Sequence, residues 1–132
     1  MLKLNILMAC APADGHFRPL TAIGKYLGEV GHDVRWYTSS KYKEDLKDMN
    51  MFYYPFVNAK DIHTDDLDKH FPERRAIKGS VSKLNFDIIN FFLNRGPEYM
   101  LDIKEIQKSF SLDIIICDLG FSGIPFIKDR FY

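Results

Sequence analysis

Apolar residues follow two rhythms along this chain. Short apolar runs at Leu4 to Ala9, Val34 to Tyr37, Met51 to Pro55 and Asp113 to Cys117 read as strands. Leu20, Ile23, Gly24 and Leu27 recur at helical spacing and predict an amphipathic helix from Phe17 to Val30, with Pro19 in its first turn. Pro12 to Gly15 reads as a sharp loop before that helix. Gly31 can close the helix in the left-handed conformation, and Val34, Trp36 and Tyr37 then open a strand. A second helix is expected over Lys41 to Met49, followed by a polar, irregular stretch from Asn58 to Gly79 that contains Pro72. Two more helices follow, their core faces marked by Val81, Leu84, Ile88 and Phe92, then by Tyr99, Ile103, Ile106 and Phe110, with Gly96-Pro97 as the break. A final helical segment runs to Tyr132.

Strands that alternate with helices imply an α/β domain with a parallel sheet, and continuously apolar strands imply helices on both faces. The doubly wound order places the first strand centrally, the second and third on one side and the fourth on the other. The crevice then opens at the carboxyl ends of the first and fourth strands. His16 follows the first and Asp118 ends the fourth, so both should face that crevice. The same adjacency is expected to bring Cys10 and Cys117 near van der Waals contact without a disulfide, as small buried residues rather than a redox pair.

Composition narrows the function classes. The 132 residues form one domain, 46% apolar and 27% charged, with 18 basic and 18 acidic residues. That balance argues against nucleic acid. No run approaches the ~20 apolar residues of a membrane span. Two cysteines fit a reducing compartment, so a cytoplasmic location is expected. His63, Asp65, Asp66, Asp68 and His70 look superficially like a metal cluster, but Thr64 before Asp65 and Asp66 is better read as a helix N-cap, so no metal site is assigned. The loop Ala11 to Gly15 supplies one glycine where a dinucleotide fingerprint wants three, which counts against nicotinamide and flavin enzymes.

The segment Gly15-His16-Phe17-Arg18-Pro19, a helix, and then Gly31-His32-Asp33-Val34 resemble the opening of GT-B-fold nucleotide-sugar glycosyltransferases, the UDP-glycosyltransferase and macrolide-glycosyltransferase group. The resemblance implies a Rossmann-like doubly wound domain, the truncated N-terminal, acceptor-side half of a GT-B fold, with the donor-binding C-terminal domain absent. It places the catalytic base at His16 and its carboxylate partner at Asp118. Asp14, Gly15, Phe17 and Phe86 fall where it puts substrate contacts. Histidine suits the work, since its unperturbed pKa near 6.5 lets it take a hydroxyl proton at working pH. A carboxylate on the far ring nitrogen would fix its tautomer. His32 is expected to be structural.

The implied activity is inverting transfer of a sugar from a nucleotide-sugar co-substrate to a small apolar hydroxyl acceptor, with no metal and no resident cofactor. The donor would be engaged only with a second domain or subunit, and the isolated chain is expected to be inactive. Its open domain face is expected to favour self-association. The alternatives are a non-catalytic Rossmann-like binding or assembly module and a subunit of a split glycosyltransferase.

Overall fold

In the computed structural model, residues 2–125 are described. The expected final segment at residues 126–132 lies outside them. Four strands, β1 (Asn5–Ala9), β2 (Asp33–Tyr37), β3 (Phe52–Tyr54) and β4 (Ile114–Cys117), form one parallel sheet in the order β3-β2-β1-β4. The central strand β1 pairs on one side with β2 and on the other with β4, Ala9 opposite Tyr37 and Cys117. This is the doubly wound order that the sequence pattern implies.

Period-two alternation assigns the side chains of β1 to two cores. Ile6, Met8 and Cys10 join Val34, Trp36, Phe17 and Leu20 on the face covered by helix α1 (Asp14–Glu29) and helix α2 (Lys43–Asp48), where Leu46 is buried. Leu7 and Ala9 join Tyr37, Tyr99, Ile103, Ile106 and Phe110 on the opposite face, under helix α5 (Gly96–Gln107). Cys117, opposite Ala9, packs against this second core, so it and Cys10 lie on different faces of the sheet. The expected near-contact of the two cysteines is therefore wrong by one step of the alternation. Burial pushes both thiols up, that of Cys10 to about 12.

Helix α1 starts three residues earlier than the periodicity predicts. Ala13 is extended and its carbonyl accepts from the N–H groups of His16 and Phe17, so Asp14, Gly15 and His16 make the first turn and the loop shrinks to residues 10–13. Pro19 consequently falls in the second turn, where its missing N–H leaves the Gly15 carbonyl without its usual helical donor. The helix ends as expected, with Gly31 at φ 103°. His32 is structural too, Nδ1 accepting from the Leu4 N–H at 3.2 Å.

Helix α1 lies against β2 at Gly24, where an added Cβ would stand 2.9 Å from the Trp36 ring. Alanine gains about 1 kcal/mol of helix propensity over glycine. Pressing a methyl against a fully buried indole costs about 1–3 kcal/mol. Gly24→Ala should therefore be net destabilising, read as a lower urea midpoint; an unchanged or higher midpoint would show that the packing gives way.

The polar stretch after β3 holds three short helical pieces, a 3-10 turn at Thr64–Asp66, α3 (Leu67–His70) and a 3-10 run at Pro72–Ala76. The cap is His63 rather than Thr64, its Nδ1 accepting from the Asp65 N–H at 3.1 Å. Arg74 ties the stretch to the next helix, donating to Asp68 at 2.6 Å and to both oxygens of Asp87 at 2.6 and 2.8 Å.

Helix α4 (Ser80–Asp87) runs on through a π-turn at Ile88–Phe92 and a 3-10 turn at Leu93–Arg95 straight into α5, with no loop at Gly96-Pro97. The expected core stripe of this segment is corrected. Val81, Leu84 and Ile88 are exposed, and the buried residue is Phe91. Among the described residues no helix is long and apolar enough to cross a membrane.

Candidate functional site

The two ends of the crevice meet as the topology requires. β1 ends at Ala9, the chain turns, and the first turn of α1 presents His16. β4 ends at Cys117 beside it, so the next residue, Asp118, faces the same opening. His16 Nδ1 and Asp118 Oδ2 form a hydrogen bond across 102 positions of sequence. Asp118 is itself fixed by the backbone: Oδ1 accepts from the Ala11 N–H at 3.1 Å and Oδ2 from the Gly120 N–H at 2.6 Å.

A carboxylate can only accept, so Nδ1 is the nitrogen that carries the proton in the neutral ring, and Nε2 keeps its lone pair. The imidazole is one-third exposed while the carboxylate is 11% exposed. An open ring whose Nε2 has no partner among the described residues, backed by a nearly buried carboxylate, can accept a proton from something in the crevice and stabilise the cation that forms.

Two neighbours that sequence reasoning missed shape this pair. Phe92 packs on the imidazole, ring centroids 5.5 Å apart. The π-turn puts it there by breaking the 3.6-residue period on which the expectation for this helix rested. Gly120 sits so close that an added Cβ would be 2.8 Å from His16 Cε1 and 2.9 Å from both Asp118 Oδ2 and Phe92 Cε1. Gly120→Ala should push the ring off the carboxylate, costing about 1–3 kcal/mol of stability. Loss of the hydrogen-bonded His16 imidazole signal in the NMR spectrum would register the displacement; an unshifted signal would mean the turn yields instead. The sequence signal available for Gly120 was its place two residues after Asp118, in the turn that closes β4.

The other sequence-predicted contacts separate. Gly15 is exposed with open space where a side chain would be, next to His16. Phe17 has no exposed surface; it stacks on Tyr42 at 3.9 Å and meets Trp36 edge-on, so its role is packing and the substrate contact expected of it is corrected. Phe86 packs on Phe71, at 5.8 Å between ring centroids, while the ring against His16 is Phe92.

Asp14 turns to a second polar group. It accepts from the Tyr42 hydroxyl at 2.7 Å and lies 3.4 Å from His63 Nε2 and 3.8 Å from Lys41 Nζ. The Tyr42 hydrogen bond, with Lys41 and His63 nearby, holds its carboxyl below the usual range. Together with the Thr64 N–H, which donates to the Pro12 carbonyl at 3.2 Å, these contacts clamp the turn that presents His16.

Exposed apolar residues adjoin both Asp118 and Phe92 in sequence. Leu119, directly after Asp118, is fully exposed, and Leu93, directly after Phe92, is exposed as well. A surface cavity of about 620 Å³ lies elsewhere, lined by Lys3, His32, Asp33 and Met51 near the amino ends of β1 to β3. That is the wrong end of a parallel sheet for a ligand.

No family model matches the chain. Over 126 residues it is 24% identical to 4'-demethylrebeccamycin synthase of Lentzea aerocolonigenes, an alignment covering 96% of this chain and 30% of that protein. CalG4, the calicheamicin glycosyltransferase, superposes with a TM-score of 0.68 at 18% identity, covering 98% of this chain and 29% of that one. A glycosyltransferase of kitacinnamycin superposes with a TM-score of 0.58 at 13% identity, covering 86% of this chain and 24% of that one. The chain thus spans less than a third of the length of these relatives.

Proposed function

From a chain that carries part of the GT-B glycosyltransferase fold, we propose an acceptor-side domain that supplies the base for inverting sugar transfer. The observation that carries this reading is the His16–Asp118 pair, with Nδ1 committed to the carboxylate and Nε2 unpartnered among the described residues at the carboxyl end of β1. Nε2 takes the proton of an acceptor hydroxyl as its oxygen attacks the anomeric carbon. The bond from that carbon to the nucleotide diphosphate breaks, and the diphosphate leaves with the bonding electrons. Asp118 stabilises the imidazolium and is not itself the proton acceptor.

Phe92 against the imidazole, with exposed Leu119 directly after Asp118, favours an acceptor with an apolar body and a single reacting hydroxyl. The nucleotide sugar is held by a second domain or subunit, because in-line displacement needs donor and acceptor about 3–3.5 Å apart. A coupled assay for released nucleotide diphosphate, on the polypeptide carrying this chain, tests the proposal. Transfer should depend on His16. Undiminished transfer by His16→Ala would remove the base role.

A further inference from the structure

The turn that follows β4 does more than carry Asp118. Within residues 118–122 it makes three contacts that bear on the imidazole. Asp118 accepts from His16 Nδ1, the Gly120 N–H holds Asp118, and the Ser122 hydroxyl donates to the Phe92 carbonyl. Phe121 anchors the turn between them. Its N–H donates to the Asp118 carbonyl at 3.2 Å, and its ring, 3% exposed, stacks on Tyr99 at 4.7 Å. The Ser122 hydroxyl is therefore presented from a fixed support.

The helical run explains why Phe92 accepts it. The π-turn at Ile88–Phe92 gives way to the 3-10 turn at Leu93–Arg95 and then to α5. Of the donors that would carry an α- or π-ladder on from Phe92, the Gly96 N–H goes to the Leu93 carbonyl and Pro97 has no N–H. A carbonyl has two lone pairs, and Ser122, 30 positions away in sequence, uses one at the point where the ladder breaks. That bond fixes the backbone from which the Phe92 ring projects. The ring meets the imidazole at 5.5 Å and a tilt of 45°, inside the range of aromatic pairs, and meets Phe91 edge-on at 4.8 Å.

We propose that Ser122 is a positioning residue for the proton transfer. It acts through Phe92, holding that ring against the imidazole while Asp118 holds Nδ1 and Gly120 closes in beside Cε1. The imidazole is then confined before an acceptor arrives, so less rotational freedom is lost when Nε2 meets the hydroxyl. The consequence for transfer rests on the reading of His16 as the base; the placement of Phe92 does not.

The His16 Cε1 proton reports the placement, because the ring current of Phe92 displaces its NMR signal. Phe92→Leu gives the position of that signal without the ring. In Ser122→Ala it should move toward that position, while the hydrogen-bonded Nδ1 proton signal persists, since Asp118 keeps its Ala11 and Gly120 donors. Ser122→Thr, which keeps a hydroxyl, should hold the wild-type position. On the polypeptide carrying this chain, kcat/KM should fall about 2- to 12-fold in Ser122→Ala, the worth of one hydrogen bond. A Cε1 signal unmoved in Ser122→Ala, or moved equally by alanine and threonine, would overturn the proposal. A moved signal with unchanged kcat/KM would overturn the link to transfer. The signal is read without any sugar transfer, so failure of the base assignment, read from His16→Ala turnover, is a separate result.

Discussion

Replacing Asp102 by alanine should lower the stability of this fold by about 2–6 kcal/mol, because two buried donors lose their shared acceptor at about 1–3 kcal/mol each. Domains of this kind hold about 5–15 kcal/mol in total, so the variant will be marginal. The reason is the number of donors that converge on one carboxylate. Asp102 is 3% exposed and accepts from the Tyr37 hydroxyl at 2.6 Å and from the N–H groups of Val57, Asn58 and Ala59 at 3.0, 2.7 and 3.2 Å. The Asn58 amide adds a fifth bond at 2.8 Å. Alanine would leave the buried Tyr37 hydroxyl and Ala59 N–H without their acceptor, each at about 1–3 kcal/mol, while the exposed Val57 and Asn58 donors can turn to water.

The same geometry sets a pH signature. Burial by itself would raise the Asp102 carboxyl, but the Tyr37 hydroxyl and the backbone donors outweigh it and hold the carboxyl below its ordinary value. A carboxyl depressed in the folded state contributes stability that is complete above the unfolded value, about 3.9, and lost as pH falls through the folded value. The gap in urea midpoint between the wild type and Asp102→Asn should accordingly be widest at neutral pH and close in acid. A gap that is independent of pH would mean that the carboxylate charge contributes nothing.

Removing the His16 imidazole should cut turnover by about 10²–10⁴, the usual contribution of a positioned general base. The fall should appear in kcat, with KM for the acceptor little changed, because the Phe92 ring beside the imidazole survives. The fold should survive as well. Without the ring, Asp118 still accepts from Ala11 and Gly120, and the ring itself is one-third exposed. A His16→Ala protein with a near-native urea midpoint and normal turnover would refute the assignment, and one that failed to fold would show that the ring is structural. Coupled diphosphate release and acceptor titration on the same preparation separate these results.

Sequence pattern reached the sheet because its signal is local and strong. Unbroken apolar runs such as Ile114-Ile115-Ile116 need helices on both faces, and only a few strand orders then remain. From the order followed the meeting of His16 and Asp118. What stayed hidden depended on contacts with no local signature. Asp102 sits on the same side of α5 as Tyr99, Ile103 and Ile106, and nothing in the sequence shows that loop N–H groups await it there. Gly120 matters only for what crowds it in space. Phe92 was displaced by a π-turn that apolar periodicity cannot register. The burial of Phe17, by contrast, was readable, since it continues the spacing of Leu20 and Gly24 on the core side of α1.

The pairing of β1 with β4 also sets when the site can exist. Asn5 accepts from the Asp113 N–H and donates back to its carboxylate, a contact spanning 108 positions. Loop closure must be met before such distant partners reward each other, and parallel pairing of this kind is slow to nucleate. A chain emerging from the ribosome can close β1, α1 and β2 long before Asp118 is made. His16 would then wait, ring unoriented, until β4 docks against β1. The Nδ1-protonated tautomer therefore depends on the pairing of β1 with β4, and the hydrogen-bonded imidazole signal should appear in refolding only with the phase that pairs them.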